Sequence, residues 1–412
     1  MRNDFIPTLL IILARPRMEY ITTLVRFAHA AASRCASHCA TRSLSHSATL
    51  PLNAMSAVLN ASAPSMPPGP IADASAWTGH EMAQHNDWIW HLGADDIEEI
   101  DRAIAHFKAS GAPMEAISTD NFPLTALKPK LAALLREIIE GRGFVMVRGF
   151  PVRRYDIRSN AIAYLGLGRH FGTLRSSNGR GHLLGHVKDT GADISQGNTR
   201  FYQTSRRLEY HTDSADIVGL LCLQTAKSGG ESFIASSMTI YHQILKRRPD
   251  LIAAAFLPYA TDRRGEVPVG MKPWFAIPIF NWHQGKLSAI YLRHYIEEAQ
   301  RRFADAPRLT REQIEVMDLI DELVNDPAIH LQMTFEPGDM QFLHNHQILH
   351  SRNDFENWPE PERHRHLLRL WMAPESGRPL PDVFAPRYGS VTPGDRGGII
   401  VPGSQLSVAL DA

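Results

Sequence analysis

Apolar residues recur at helical spacing in the first part of the chain's body. The predicted helix Asp95–Ala109 has apolar residues such as Ile100 and Ile104 at intervals of three or four. Acidic residues crowd its first turn, and Gly111 follows its end, as expected for helix boundaries. Similar patterns predict two further helices, Lys130–Glu140 and Asp156–Phe171.

After about residue 183 the pattern changes to short apolar runs broken by Gly, Pro, Asp and Asn, which is typical of strands joined by turns. The predicted strands are Gly143–Gly149, Ile217–Leu223, Phe233–Ala235, Ser288–Tyr291, Gln332–Phe335 and Leu367–Trp371. One helix, Arg311–Val324, is expected to interrupt them, and the Pro- and Gly-rich segment after Pro374 is expected to be irregular. Helices followed by many short strands indicate an α+β fold built on a β-sandwich or barrel.

The N-terminal 75 residues differ in composition from the rest. No acidic residue occurs from Ile21 to Ala72, and Arg, Ser, Ala and then Pro are frequent. We expect a disordered or targeting tail over residues 1–75 and a single folded domain over residues 76–400. An Arg- and Ser-rich, acid-poor start is typical of a mitochondrial transit peptide, whereas a start at Met55 would leave a cytoplasmic protein.

Charge and composition exclude some classes of function. Lys and Arg total 43 and Asp and Glu total 43, so the basic excess typical of nucleic-acid binders is absent. The sequence contains no apolar run of the roughly 20 residues that a membrane span requires, and its three cysteines form no disulfide framework. We therefore expect a protein that acts on a small-molecule substrate, without nucleic acid or membrane as partner; a homo-oligomer is compatible with the sequence.

A His-x-Asp tripeptide, His211-Thr212-Asp213, is the first candidate for chemistry. In a strand, residues two apart point to the same face, so both side chains could reach one ion. Two His and one carboxylate on one face of Fe(II) leave positions open for oxygen chemistry. The bare tripeptide is a weak indication, because His85-Asn86-Asp87 is a second copy without comparable neighbours.

The segment around Leu367–Trp371 places two arginines in an apolar strand. Period two puts Arg365 and Arg369 on one face, together with Trp371. Buried arginines are costly unless they meet anions, and the guanidinium fork suits a carboxylate such as the one at the far end of 2-oxoglutarate. Internal pairs with Asp or Glu are the alternative explanation.

Together, His211-x-Asp213, the Gly-Gly-x-Ser of Gly229–Ser232, the distal His350 and Arg365-x-x-x-Arg369 resemble the TauD/TfdA family of taurine dioxygenase-like enzymes. The resemblance covers roughly Gly143–Trp371. It implies a double-stranded β-helix (jelly-roll) core with flanking helices, as in clavaminate synthase-like enzymes. It also implies a dioxygenase that uses Fe(II), 2-oxoglutarate and O2 and releases succinate and CO2, with hydroxylation as the default outcome.

The resemblance implies a role for each matching residue. His211, Asp213 and His350 would bind iron, Ser232 and Arg365 would hold 2-oxoglutarate, and Arg369 would contact an anionic group of the substrate. Arg365 follows His350 by 15 positions, a longer gap than the family commonly has, which leaves Arg363 as a competitor for the cosubstrate role. Arg365 is favoured because it shares a strand face with Arg369.

Two other functions compete with this interpretation. The cluster His344-x-His346-x-x-x-His350 suits zinc and would fit a hydrolase or nuclease, although neutral net charge and the lack of nearby cysteines argue against a nuclease. A non-catalytic jelly-roll binding protein is the other alternative. Further polar or aromatic groups could line a pocket, and the charged run Asp262–Glu266 could form a loop over it; the pocket candidates are Asn198, Tyr202, Arg293, Tyr295 and Asn345.

Overall fold

The computed structural model describes residues 65–193 and 200–411. The part of the predicted tail up to residue 64, including Met55, lies outside the described residues, and so does the pocket candidate Asn198.

Short strands dominate the middle of the chain. In chain order the strands are β1 Ile89–His91, β2 Phe144–Arg148, β3 Thr173–Arg175, β4 Leu184–Val187, β5 Leu208–His211, β6 Ile217–Gln224, β7 Ser228–Gly229, β8 Ser232–Ser236, β9 Pro258–Asp262, β10 Trp274–Pro278, β11 Phe280–His283, β12 Lys286–Ala289, β13 Leu331–Met333, β14 Met340–His344, β15 Ile348–Arg352, β16 Phe355–Glu356 and β17 His366–Ala373.

Helices precede the strands and also interrupt them. They are α1 Gly79–Met82, α2 Ala94–Ser110, α3 Leu127–Ile139, α4 Ile157–Phe171, α5 Ser237–Arg247, α6 Ile252–Ala255, α7 Arg293–Arg302, α8 Arg311–Asn325 and α9 Ala385–Tyr388. None of the helices in the described ranges combines the length and the apolar character needed to cross a bilayer.

Two sheets face each other at the centre of the domain. The main sheet has the order β1-β2-β14-β6-β17-β3, with β4 also paired to β17, and the smaller sheet has the order β13-β8-β15-β5. Except for the parallel pair β1–β2, the neighbouring strands of both sheets are antiparallel. The β14–β15 turn and the β5–β6 connection each cross from one sheet to the other.

Three apolar clusters place the sheets between helical layers. Side chains such as Val218 of the main sheet and Ile234 of the smaller sheet fill the space between the two sheets. Helices α2, α3 and α4 cover the outer face of the main sheet, and α5 and α8 cover that of the smaller sheet. Along β17, Leu367 and Trp371 point between the sheets and Leu368 points to the outer helices, which confirms the predicted alternation.

Most predicted elements occur within a few residues of their predicted bounds, but the prediction of one helix among the strands is wrong. Helix α5 follows β8 without an intervening loop, so its pattern merges with that of the strand; the Ser236 hydroxyl caps it by accepting from the Thr239 N–H. Helix α7 buries only Ile296 and Ala299, and most of its other residues are charged or polar, so its apolar periodicity is weak.

Contacts with the domain extend beyond the predicted limits of residues 76 and 400. The Ile71 N–H donates to His242 Nε2 at 3.0 Å, and the Tyr241 hydroxyl donates to the Gly69 carbonyl at 2.9 Å. At the other end, the Leu183 N–H donates to the Ser407 carbonyl at 2.9 Å, and Leu410 packs on the outer helical layer.

The segment after Pro374 has little regular structure, as predicted, yet a fully buried arginine anchors it. Arg396 Nε lies 2.9 Å from both carboxylate oxygens of Asp216, which also faces His346 Nε2 at 2.7 Å. The other guanidinium nitrogens of Arg396 donate to the carbonyls of Val391 and Arg378. Every hydrogen-bonding nitrogen of this side chain therefore has a partner.

We predict that Arg396→Met destabilises the protein by about 3–5 kcal/mol, because Asp216 would remain as a buried charge without its cation. Chemical denaturation followed by circular dichroism measures the change. The matched control is Asp395→Asn, which removes an exposed ion pair with Arg175 and should cost less than about 1 kcal/mol. Equal losses in the two variants would contradict the structural role assigned to Arg396.

Candidate functional site

His211, Asp213 and His350 come together at one end of the smaller sheet. His211 ends β5 and pairs with His350 of the neighbouring β15. Each of the three side chains offers one ligand atom, and these atoms all lie within 4.8 Å of one another. Across the described ranges, no other group of three His, Cys, Asp or Glu meets this criterion.

Asp213 reaches the site in a different way from the one predicted. The strand ends at His211, so strand periodicity does not place the carboxylate. Asn345 holds it instead: its side-chain oxygen accepts from the Asp213 N–H at 2.7 Å, and its amide donates to the carbonyls of Asp213 and Ala215. Asn345, one of the predicted pocket candidates, therefore supports the turn that carries the carboxylate.

His211 and His350 can each offer the lone pair of a ring nitrogen to a metal. His211 Nδ1 lies 2.8 Å from the Glu209 carbonyl, which can only accept, so the proton sits on Nδ1 and leaves Nε2 free toward Asp213. Burial, reinforced by the nearby His211, lowers the pKa of His350 to about 3. His350 is therefore neutral at physiological pH, and its Nε2 lies 3.9 Å from Asp213 Oδ2.

Asp213 is kept ionised despite its burial. Burial alone would raise its pKa, but Arg369, the two histidines and a hydrogen bond from Trp371 outweigh that effect and lower the pKa below its usual value. Trp371 Nε1 donates to Asp213 Oδ2 at 3.0 Å, and Arg369 Nη1 lies 3.7 Å from the same oxygen. The contact from Trp371 was not predicted, although the predicted strand already placed Trp371 on the same face as Arg369.

Arg365 and Ser232 lie in a second polar cluster beside this site. Arg365 is 4% exposed, its Nη2 donates to the Gly230 carbonyl at 3.4 Å, and its Nη1 has no partner in the part of the chain that the structure describes. A β-carbon at Gly230 would lie 2.8 Å from Arg365 Nε, so a larger residue there would displace this guanidinium. Burial lowers the pKa of Arg365 to about 10, which leaves it a cation at neutral pH.

Arg352 is a second buried cation in this cluster that the sequence interpretation missed. It sits opposite Ser232 in the β15–β8 ladder. The guanidinium groups of Arg352 and Arg365 lie over the ring of Phe355, at 4.8 and 5.1 Å. Neither has a carboxylate within 4.0 Å among the described residues, so the alternative of an internal ion pair is wrong for Arg365.

Arg363, the competitor of Arg365, points elsewhere. Its guanidinium lies 3.7 Å from the centre of the Trp358 ring and 3.5 Å from the Glu360 carboxylate, and its side chain is half exposed. The buried arginine at this point of the chain is therefore Arg365.

A cavity opens onto two of the three candidate ligands. His211, Asp213 and Arg369 line it, whereas His350, Arg365 and Ser232 do not. Its wall includes three of the predicted pocket candidates and the last residue of the charged run; these residues are Tyr202, Arg293, Tyr295 and Glu266.

The zinc cluster predicted as an alternative is wrong. His346 is fully buried and faces Asp216, and His344 is fully buried and bonds to Gln347. One ring nitrogen of each is thus committed to another partner, and neither histidine joins His350 in a ligand group among the described residues. The second His-x-Asp tripeptide, His85-Asn86-Asp87, likewise forms no candidate metal site among the described residues. Its Asp87 instead forms an ion pair with Arg142 at 2.9 Å.

We predict that Trp371→Phe weakens metal binding by about 10-fold, since it removes the hydrogen bond that orients the Asp213 carboxylate and keeps most of the packing. Binding of Co(II), followed by absorbance, gives the dissociation constant. Trp88→Phe is the matched control, because its indole bonds to the His85 carbonyl at 2.9 Å, away from the site. A similar affinity in wild type and Trp371→Phe would show that this bond does not position the ligand.

Comparisons with known proteins agree on one family. A sequence model described as "Taurine catabolism dioxygenase TauD, TfdA family" matches residues 106–371. FR-33289 synthase from Streptomyces rubellomurinus (strain ATCC 31215) is 32% identical over 321 residues, 76% of this chain and 93% of that protein. Taurine hydroxylase-like protein SAT17 from Stachybotrys chartarum is 30% identical over 311 residues, 73% of this chain and 79% of that protein.

Solved structures share the fold at lower identity. Asparagine oxygenase in complex with Fe(II), 2S,3S-3-hydroxyasparagine and succinate has a TM-score of 0.53 at 15% identity, covering 69% of this chain and 93% of that one. The non-heme iron oxygenase OrfP with Fe and alpha-ketoglutaric acid has a TM-score of 0.52 at 14% identity, with the same coverage. At these identities, the structures establish a similarity of fold.

Proposed function

Because the chain belongs to the taurine catabolism dioxygenase TauD, TfdA family and is a 2-oxoglutarate-dependent dioxygenase, we propose that it hydroxylates a small organic substrate and releases succinate and CO2. The observation that carries this proposal is the convergence of His211, Asp213 and His350, whose ligand atoms lie within 4.8 Å of one another. Two imidazoles and one carboxylate on one side of Fe(II) would leave its other positions for cosubstrate and oxygen.

The metal-binding residues fit Fe(II) in chemistry as well as in position. The Glu209 carbonyl fixes the tautomer of His211, and burial keeps His350 unprotonated. The Asp213 carboxylate supplies the single negative charge, held by Trp371 and Arg369. Bound iron and 2-oxoglutarate supply the oxidising chemistry, and the protein's part is to orient and shield them.

Arg365 and Ser232 are the residues that we assign to the far carboxylate of 2-oxoglutarate. Arg365 supplies a buried guanidinium with a free Nη1, and Arg352 adds a second positive charge beside it. Ser232 stands opposite Arg352, two residues along β15 from His350. Two strand residues span about 7 Å, so Arg352 and the facing Ser232 lie near the candidate iron ligand His350.

The fold supports the same assignment. We infer that the two facing sheets form the double-stranded β-helix of the family, with the metal site at one open end between them. The relatives are named for small molecules, and the solved structures contain hydroxylated amino acids. Arg369 lines the cavity with an unpartnered Nε among the described residues, which supports a contact with an anionic group of the substrate.

A non-catalytic binding protein, the other function that the sequence left open, is not favoured. Such a protein would keep the cavity without needing three converging metal ligands. Fe(II)-dependent consumption of 2-oxoglutarate with succinate release measures the proposed activity directly, and the absence of succinate release under every substrate condition would contradict it.

We predict that His211→Ala, Asp213→Ala and His350→Ala each abolish Fe(II)-dependent succinate release. The loss should exceed the roughly 100-fold effect of removing an outer partner of a metal ligand. Chelation of the metal from wild type should have the same effect, and adding Fe(II) should restore it. Asp87→Ala, in the other His-x-Asp tripeptide, is the matched control and should retain activity; a triad variant as active as this control would refute the metal site.

We predict that Arg365→Gln raises the KM for 2-oxoglutarate by about 10- to 100-fold, because it removes a charge-assisted hydrogen bond. Ser232→Ala removes a neutral donor and should raise the KM by about 2- to 10-fold. Initial rates of succinate formation at varied 2-oxoglutarate measure both effects. Arg363→Gln should leave the KM for 2-oxoglutarate unchanged. If Arg363→Gln raised this KM and Arg365→Gln did not, the cosubstrate would be assigned to Arg363 instead.

A further inference from the structure

The wall of the cavity includes an arginine from outside the family-matched segment. Arg387 belongs to α9 and lines the same cavity as His211 and Asp213. The family match ends at residue 371, so Arg387 belongs to the part of this chain that the family model does not describe.

Arg387 is held next to a candidate iron ligand. Its Nε donates to the Ser214 hydroxyl at 2.7 Å, and Ser214 directly follows Asp213. The preceding residue is also fixed, because Arg263 Nη2 donates to the Pro386 carbonyl at 2.7 Å. The guanidinium groups of Arg263 and Arg387 lie 5.3 and 5.4 Å from the centre of the Phe275 ring.

Arg387 at the cavity wall and the buried Arg263 beside it lack a carboxylate partner in the part of the chain that the structure describes. Within the described ranges, neither Arg387 nor Arg263 has an acidic group within 4.0 Å. Glu266 is near, but it pairs with Arg200 at 2.6 Å and accepts from the Gly179 N–H at 3.1 Å. Arg387 is partly buried, and a cation shielded from water is costly when unpaired, so an anion supplied from outside the chain would stabilise this arrangement.

A purely structural role does not account for Arg387. Arg396, which anchors the same segment, uses all of its guanidinium nitrogens on Asp216 and two backbone carbonyls. Arg387 lines the cavity, and its only printed side-chain hydrogen bond within the described part of the chain is the one from Nε to Ser214. That leaves the flat end of the guanidinium, the part that binds oxyanions through two parallel hydrogen bonds, without a protein acceptor.

We propose that Arg387 binds an acidic group of the primary substrate, a carboxylate, sulfonate, phosphonate or phosphate, and so selects anionic substrates for this enzyme. The proposal rests on the proposed function, because it uses the metal site to define the reacting end of the cavity. Since Arg387 is tied to the residue after Asp213, the acidic group would sit a few bonds from the oxidised carbon. Arg369 already has the Asp213 carboxylate at 3.7 Å, which makes Arg387 the less neutralised of the two arginines.

The test uses full-length protein loaded with Fe(II) and 2-oxoglutarate under anaerobic conditions, so that the cosubstrate occupies Arg365. Acetate, methanesulfonate and methylphosphonate are titrated by calorimetry, with acetamide as the uncharged probe. We expect at least one acid to bind and acetamide not to bind, and the three acids distinguish planar from tetrahedral groups. Arg387→Gln should weaken binding of the acid by about 10- to 100-fold, as for loss of a charge-assisted hydrogen bond.

Two further variants sharpen the result. Arg387→Lys keeps the charge without the fork and should weaken binding several-fold, which tests the proposal even if Arg387→Gln folds poorly. Arg102→Gln, on the exposed face of α2, is the matched control and should bind like wild type. Unchanged binding in both Arg387 variants would overturn the proposal, and so would a loss caused by Arg369→Ala but not by Arg387→Gln.

The same samples separate this proposal from the proposed function. Loading with Fe(II) and 2-oxoglutarate is measured before the anion is added. Failure to load would count against the dioxygenase site, whereas the difference between wild type and Arg387→Gln in anion binding would still decide the role of Arg387.

Discussion

The amide of Asn345 is the contact on which the site depends. Asn345 lies in the β14–β15 turn and bonds to the β5–β6 connection, and both segments cross between the two sheets. One side chain therefore fixes the separation of the sheets at the place where His350 approaches Asp213. The buried contact of His346 with Asp216 joins the same two connections between the sheets. Two side-chain contacts therefore stabilise the edge that carries the candidate metal ligands.

The sequence predicted which residues converge at the candidate metal site, but not how Asp213 is positioned there. Strand periodicity correctly placed Arg369 and Trp371 on the inner face of β17, because alternation along a strand is a local property. It failed for Asp213, whose position is set by Asn345, 132 residues away in the sequence. Arg352 and Arg387 were not predicted as site residues, because that prediction requires knowing which charged groups surround them. Those surroundings depend on packing between distant parts of the sequence.

Three arginines of this protein differ in how far protein acceptors satisfy their guanidinium groups. Arg396 is saturated by protein acceptors and holds the C-terminal segment on the sheets. Arg365 keeps a nitrogen without an acceptor among the described residues, and Arg387, at the cavity wall, bonds there through its Nε. The saturated guanidinium of Arg396 stabilises the fold, whereas Arg365 and Arg387 retain capacity to bind a ligand.

The ion pair between Asp216 and Arg396 also has a consequence for biosynthesis. Its two residues are separated by 180 positions, so Asp216 leaves the ribosome long before its cation is made. Until then the β5–β6 connection would have to bury an uncompensated carboxylate, which is unfavourable. We therefore expect the crossing that carries Asp213 to close late during synthesis, after the segment bearing Arg396 has been translated.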